Sequence, residues 1–247
     1  MKEDQTTLVM AGAREAHGVI AGLLGRGRRV IASLPEPERV FEPIPVPTRI
    51  GGFEQADDMC AWLQQNGVGC VIDVSHAFDA EVSDMAAQVS GAQKVRYMRL
   101  LRPSWRATRQ DGWEFYDTIS AAARDVPQAA RVFSNTGRAS LPAFADFSGQ
   151  ALFLRQTGPS QHPPPYPFVK YIVGTPPFSQ KSEEILFQEL RISRLICRNV
   201  GGAASRSKLL AARRLGIRVS MIERPPAPEG MPQVSTVAEA LAWEANP

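Results

Sequence analysis

Short apolar runs separated by amphipathic stretches recur along the 247 residues, and this alternation constrains the fold more than any other feature of the chain. Apolar runs of about four to eight residues suit buried strands, and apolar positions repeating every ~3.6 residues suit helices packed on one side. The pattern places strands at 7–11, 28–33, 69–74 and 94–99, with helices at about 14–26, 54–66 and 79–91. Residues 102–113, with Pro103 and a polar run, interrupt it, and the alternation restarts with a helix at about 115–124. Strands follow at 130–135, 151–155, 168–173, 193–198 and 218–223, and helices at 139–146, 179–190, 205–215 and 235–245. Strands joined by helical crossovers lie parallel in one sheet. The expected fold is therefore α/β, with mainly parallel sheets in two similar lobes at 1–101 and 102–247, divided near 101–113.

Several function classes drop out at this stage. No apolar run approaches the ~20 residues that span a bilayer, and the charged opening MKEDQTT precedes no signal-type apolar stretch. A cytoplasmic protein without a membrane partner is expected. Cys60, Cys70 and Cys197 are isolated, with no C-x-x-C or Cys/His cluster. They are expected to be buried small hydrophobes, and neither a disulfide framework nor a metal site is expected. A net charge of +3 does not demand a polyanionic partner. Residues 191–218 nevertheless carry eight basic side chains and no acidic one, which marks a candidate anion site or a solvated helix face.

In open parallel sheets, ligands sit beyond the carboxyl ends of the strands, facing helix N-termini and loop N–H groups. The first such loop lacks the G-x-G-x-x-G spacing of dinucleotide folds, because Gly12 is followed by Ala13, Arg14 and Glu15. Gly12 allows a tight turn and Arg14 can reach an anion, whereas Glu15 would repel a phosphate; the plainer alternative is a strand-to-helix turn. Ser33 follows the second strand, where NAD-binding folds usually place a carboxylate on the ribose. A hydroxyl there leaves room for a 2′-phosphate and favours NADP, against which stands Glu36 three residues on. Gly51 and Gly52 precede a helix, and Asp73, Ser75 and His76 end a strand; Asp73 suits loop tethering, and His76 suits either proton donation or a structural hydrogen bond. In the second lobe, Asn135, Thr136, Gly137 and Arg138 form one anion-type loop, and Asn199, Gly201, Gly202, Ser205 and Lys208 form another. Their joint presence points to a large anionic ligand held between the lobes. The proline-rich TGPSQHPPPYPF is expected as an extended loop near the ligand. Tyr166 and Lys170 match the Y-x-x-x-K spacing of short-chain dehydrogenases, but the prolines around Tyr166 forbid the helix that spacing needs.

Taken in order, these loops resemble those of the precorrin-6A reductase family of cobalamin biosynthesis. An R-x-G-G-F motif is present as Arg49, Gly51, Gly52 and Phe53; a D-x-T-H-P-F-type motif appears as Asp73, Ser75, His76, Ala77 and Phe78; Arg102, Pro103 and Trp105 match an R-P-x-W element. Asn135 to Arg138 match a T-T-G-R loop, Arg198 to Gly202 a K-N-S-G-G loop, and KLLAARRLGIRVSMIERP the closing segment. The likeness runs from about residue 8 to 240, with departures at Ala13, at Arg198 and at Val200, where a hydroxyl is lost. It implies two Rossmann-like lobes with a ligand cleft between them, and NADPH-dependent hydride transfer to the precorrin-6A macrocycle. It further implies cofactor contacts at Gly12, Arg14, Ser33, Asn135, Thr136, Gly137, Arg138, Asn199, Gly201, Gly202, Ser205 and Lys208. Substrate contacts are expected at Arg49, Gly51, Gly52, Ser75, His76 and Arg102, with His76 the candidate acid. Arginines and lysines from several loops complement a tetrapyrrole rimmed by carboxylates, and hydride transfer needs alignment rather than a metal or covalent nucleophile.

Two rivals stand beside this expectation. Nucleic-acid binding through residues 191–218 lacks an aromatic platform or a known motif, so no nucleic-acid partner is expected. Another Rossmann-like enzyme, such as a methyltransferase or a sugar-nucleotide enzyme, is compatible with the loops taken alone.

Overall fold

The computed structural model describes residues 5–35 and 43–246, so Glu36 lies outside the described residues. The chain forms two compact units, one of residues 1–103 with 225–247, the other of residues 104–224.

The first unit contains β1 (Thr6–Ala11), α1 (Glu15–Leu24), β2 (Val30–Leu34), β3 (Thr48–Ile50), α2 (Ala56–Gln65), β4 (Val68–Val74), α3 (Ala80–Ala92) and β5 (Arg96–Leu100). Its sheet is completed from the far end of the sequence by β12 (Gln233–Val234), followed by α7 (Val237–Ala245). The strands lie in the order β12-β5-β4-β1-β2-β3, every neighbouring pair parallel. β1 is buried along its whole length, as a central strand covered on both faces must be. On α1, Ala16, Val19, Ile20 and Leu23 follow helical spacing and pack into the core beneath the sheet.

The second unit contains β6 (Trp113–Tyr116), α4 (Ile119–Arg124), β7 (Arg131–Ser134), a 3-10 helix (Arg138–Phe144), β8 (Ala151–Gln156) and β9 (Val169–Val173). It continues with α5 (Gln180–Glu189), β10 (Arg194–Arg198), α6 (Ser207–Leu215) and β11 (Arg218–Ile222). Its sheet runs β6-β11-β10-β7-β8-β9, again parallel throughout. Its core gathers Phe133, Phe153, Phe187, Leu195, Leu209 and Met221 from the sheet and the helices α5 and α6.

Four expectations are corrected. The helix expected at 115–124 begins as strand β6, because Trp113 and Tyr116 align beside Val219 and Ile222 of β11; the helix starts only after Thr118, whose hydroxyl accepts from Ala121 N at 3.1 Å. The helix expected at 139–146 is a 3-10 helix with Pro142 inside it, and proline cannot donate the hydrogen bond an α-helix interior requires. β3 and β12 are too short, at three and two residues, to leave a periodic signature. The fourth concerns the C-terminal segment, which belongs to the first unit: β12 pairs with β5, and α7 packs on α1.

That return is fastened chemically. Gly18 and Gly22 bring α1 close to α7, since a Cβ on Gly22 would lie 2.3 Å from Leu241 Cδ1 and one on Gly18 3.3 Å from Val237 Cγ2. Arg96 donates to the carbonyls of Trp243 at 2.8 Å, Glu244 at 3.1 Å and Asn246 at 2.8 Å, capping α7, and its guanidinium lies 4.2 Å from the centre of the Trp243 ring. Among the described residues, no helix is long and apolar enough to cross a membrane.

Candidate functional site

A parallel sheet opens a crevice where its strand order reverses, because the crossovers on either side leave in opposite directions. In the first unit the reversal falls between β1 and β4. The loops that follow these strands carry Gly12 to Arg14 and Ser75 to Asp79. In the second unit it falls between β7 and β10, and the loops there carry Asn135 to Gly137 and Asn199 to Ser205. Both anion-type loops of the second half of the chain thus flank one switch point.

At the first switch point Gly12 is required by close approach. A Cβ there would sit 2.8 Å from His76 N and 3.1 Å from Ser75 Cα, so the two loops touch through backbone. Ala13 N reinforces the contact by donating to Val74 O at 2.9 Å. Arg14 stands exposed at the N-cap of α1. Glu15, the residue that would repel a phosphate, accepts from Arg102 Nη1 on both carboxylate oxygens at 3.1 Å, which offsets its charge. Arg102 is thereby placed at the start of α1. Ser33 is buried on β2, in register with Arg49 of β3. The Arg49 guanidinium folds back on its own motif: it donates to Gly51 O and, at 2.9 Å, to Gly52 O, and stacks 3.8 Å from the centre of the Phe53 ring. Gly51, at φ +106°, makes the turn that permits this.

The second loop of this crevice is held by Asp73, which is wholly buried. Its Oδ1 accepts from Ser75 N at 2.9 Å and Ser75 Oγ at 2.5 Å, and its Oδ2 accepts from the Tyr97 hydroxyl at 2.7 Å, with Arg99 Nε at 3.9 Å. Burial, reinforced by the Asp73 carboxylate, pushes the Tyr97 phenol well above its usual range. Ser75 Oγ lies 3.2 Å from Ser83 Oγ, so its hydroxyl is engaged within the protein. The half-buried His76 accepts from Phe78 N on Nδ1 at 3.3 Å, which leaves the proton of the neutral ring on Nε2.

At the second switch point a buried chain of hydroxyls shapes the loop after β7. Ser140 Oγ donates to Gly137 O at 2.7 Å; it therefore accepts from Thr136 Oγ1 at 2.7 Å, which accepts in turn from Ser134 Oγ at 2.9 Å. The Thr136 hydroxyl is thus directed inward. Asn135 is exposed, and Gly137, at φ +84°, has no heavy atom within 4 Å of where a Cβ would stand, so its backbone is open to a ligand. Arg138 donates to Ser160 Oγ at 3.0 Å, tying this loop to the proline-rich segment. That segment contains Tyr166, stacked on Phe168 at 5.2 Å, while Lys170 lies on strand β9, so the two share no helix.

The loop after β10 is the most heavily braced. Asn199 is buried, with Oδ1 accepting from Trp105 N at 2.8 Å and Nδ2 donating to Trp105 O at 3.0 Å. Gly201 and Gly202 adopt φ +69° and +80°, and Gly202 O accepts from the Trp105 indole at 2.8 Å. Lys208 is 4% exposed, and its ammonium donates to Ser205 O at 2.5 Å, 5.2 Å from the centre of the Trp105 ring. Burial holds its pKa below the usual lysine range, against the opposing pull of Cys197 and Glu183. The cysteine expectations fit Cys70 and Cys197, both buried, whose thiols burial pushes up to about 12 and about 11. Cys60 is only partly buried and accepts from Gln93 Nε2 at 2.9 Å.

Four participants had no signal in the sequence that pointed to them. Tyr97 and Arg99 read as ordinary strand residues, and the buried pair of Arg155 Nη1 with Glu183 Oε1 at 2.7 Å joins β8 to the first turn of α5. Each depends on a partner remote in sequence. Chemically, the second crevice offers loop backbone, open at Gly137, and cations held nearby, which suits a phosphate or carboxylate. The first offers a carboxylate-braced loop that carries the imidazole.

Comparison with known proteins follows the same span. A family model described as precorrin-6x reductase CbiJ/CobK matches residues 6–245. The chain is 33% identical to the precorrin-6A reductase of Rhodococcus erythropolis over 240 residues, covering 96% of each chain. It is 31% identical to that of Rhodobacter capsulatus over 242 residues, covering 97% of this chain and 95% of the other. The solved structure of CobK precorrin-6A reductase superposes with a TM-score of 0.89 at 31% identity, covering 98% of this chain and 96% of that one.

Proposed function

Since the chain belongs to the precorrin-6x reductase family, we propose that it reduces precorrin-6A to precorrin-6B in cobalamin biosynthesis, with NADPH as the hydride donor. The observation that carries this reading is that the family match spans both switch-point crevices, each lined by loops suited to anions. A nicotinamide nucleotide brings phosphates and a precorrin brings a rim of carboxylates, so both ligands need such loops.

We assign the open backbone at Gly137 and the loop backbone at Gly201 and Gly202, with Asn135, Arg138 and Ser205, to the nucleotide, together with Gly12, Arg14 and Ser33. Thr136, Asn199 and Lys208, whose polar atoms turn inward, shape these loops. While Ser75, whose hydroxyl donates to Asp73, shapes the loop that carries His76, Arg49, Gly51, Gly52, His76 and Arg102 are assigned to the substrate side. Of these, the Arg102 side chain is presented at the head of α1 by Glu15, and His76 is oriented by the bond from Phe78 N. NADPH, when bound, supplies the hydride, and the macrocycle also takes up one proton. That proton comes from His76, the candidate acid of the loop, from water or from a protonated nitrogen of the substrate itself. Preference for NADPH over NADH rests on Ser33, a hydroxyl where a carboxylate would repel a 2′-phosphate.

Titration of the protein with NADPH and NADH tests the cofactor. Tighter binding of NADPH by about tenfold or more supports the assignment. Equal affinity would refute the role given to Ser33, and binding of neither nucleotide would refute the reductase reading.

A further inference from the structure

Asn199 stands in the most conspicuous anion-type motif of the sequence, yet its side chain faces the protein. Its amide closes a two-bond clamp on the backbone of Trp105, at 2.8 and 3.0 Å, and the residue is 5% exposed. Its main chain is also engaged, with N donating to Ile222 O at 2.9 Å and O accepting from Arg224 Nε at 2.6 Å. Trp105 passes the constraint on through its indole N–H, which holds Gly202 O at 2.8 Å. In a trans peptide the carbonyl and the following N–H point in opposite directions. Fixing Gly202 O toward Trp105 therefore aims the N–H of the exposed Ala203 away from it. Gly201 and Gly202 have the widest conformational freedom of any residues, so without this brace the N–H would have no fixed direction. Lys208, bonded to Ser205 O, closes the other side of the loop against the Trp105 ring.

We propose that Asn199 and Trp105 are positioning residues, Asn199 acting through Trp105 to aim the backbone of the Gly201–Ser205 loop at a nucleotide phosphate. The phosphate is the one the preceding functional reading requires, and the inference rests on it to that extent. The buried amide of Asn199 does not touch the ligand.

The test is a double-mutant cycle of Asn199→Ala and Trp105→Phe on the full chain, read by NADPH affinity, by kcat and KM, and by amide hydrogen exchange over residues 200–206. Phenylalanine keeps an aromatic ring against Lys208 while removing the indole donor and part of the ring volume, so this variant stays readable if Asn199→Ala unfolds. Each substitution is expected to weaken NADPH by about five- to tenfold, the scale of one or two lost hydrogen bonds. In the double variant the loss should be no larger than in the worse single one, because both act along one path. KM for NADPH should rise while kcat stays within about twofold, and exchange should quicken over 200–206 in both single variants. Multiplicative losses, or a loss with Asn199→Ala and none with Trp105→Phe, would make Asn199 a direct ligand and overturn the proposal. If the unaltered protein binds neither NADPH nor NADH, the functional reading fails and exchange alone decides: quickened exchange in both variants supports the brace, and unchanged exchange overturns it.

Discussion

Gly12 shows how a residue in a phosphate-type loop can be fixed by packing. The atoms a Cβ would strike are the backbone of Ser75 and His76, which cannot rotate away. Gly12→Ala is expected to destabilise the protein by about 1–3 kcal/mol, through the strain of overpacking, and to displace the His76 loop. Thermal unfolding together with KM for precorrin-6A measures both effects. Glu114 offers a second case. It accepts from Arg194 and from Arg218, at 2.6 Å in the latter pair, and chiefly the Arg194 bond holds its carboxyl below the usual carboxylate range. A carboxyl depressed in the folded state stabilises it fully above the unfolded value and loses that contribution as pH falls through the folded value. Glu114→Gln should therefore lower stability near neutral pH and flatten its decline on the acid side, as urea unfolding between about pH 2 and pH 6 can show. An unchanged acid limb would remove Glu114 from the pH dependence. At this scale the sequence identifies residue types but not the direction in which they face. Asn199, Lys208 and Thr136 stand in motifs that suit a ligand, yet their partners are Trp105, Ser205 and Ser140. The clamp on Trp105 spans 94 positions, a separation that no local pattern encodes.

Among the elements, α1 and α7 meet across a groove that two glycines keep open. Gly22→Leu would drive a branched side chain into the space of Leu241 and is expected to displace α7. The expected loss of about 1–3 kcal/mol should appear as a lower Tm, with proteolytic cleavage beginning in residues 225–247. Cleavage elsewhere first would contradict this packing. The central strands and the long helices were legible because burial on both faces leaves continuous apolar runs, and burial on one face leaves a 3.6-residue period. Edge strands β3, β6 and β12 were not, since each takes its conformation from a neighbouring strand rather than from its own pattern. At 139–146 the apolar pattern suits an α-helix, but Pro142, which lacks the N–H donor, decides for the 3-10 form.

For the whole molecule, the alternation predicted two α/β lobes, and two six-stranded parallel sheets are present. It could not show that the chain leaves the first unit after Pro103 and returns to it at Pro225, because membership of a sheet is decided by pairing and not by order in sequence. Removing residues 225–247 should consequently unfold the first unit, from which β12 and α7 are lost, while residues 104–224 keep their sheet. Hydrogen exchange on the truncated protein would show protection lost in β1 and β4 and kept in β7 and β10; protection lost equally in both would contradict it. The resemblance of the loops to one reductase family was legible from residue order alone, and the switch points explain that legibility, because ligand loops must follow particular strands. The most direct test of the proposed activity adds precorrin-6A, under anaerobic conditions, to the protein with NADPH and follows reduced nicotinamide absorbance and the tetrapyrrole product together. Equimolar loss of NADPH and appearance of precorrin-6B is predicted. Precorrin-6A left unchanged while NADPH is bound by the protein would contradict it.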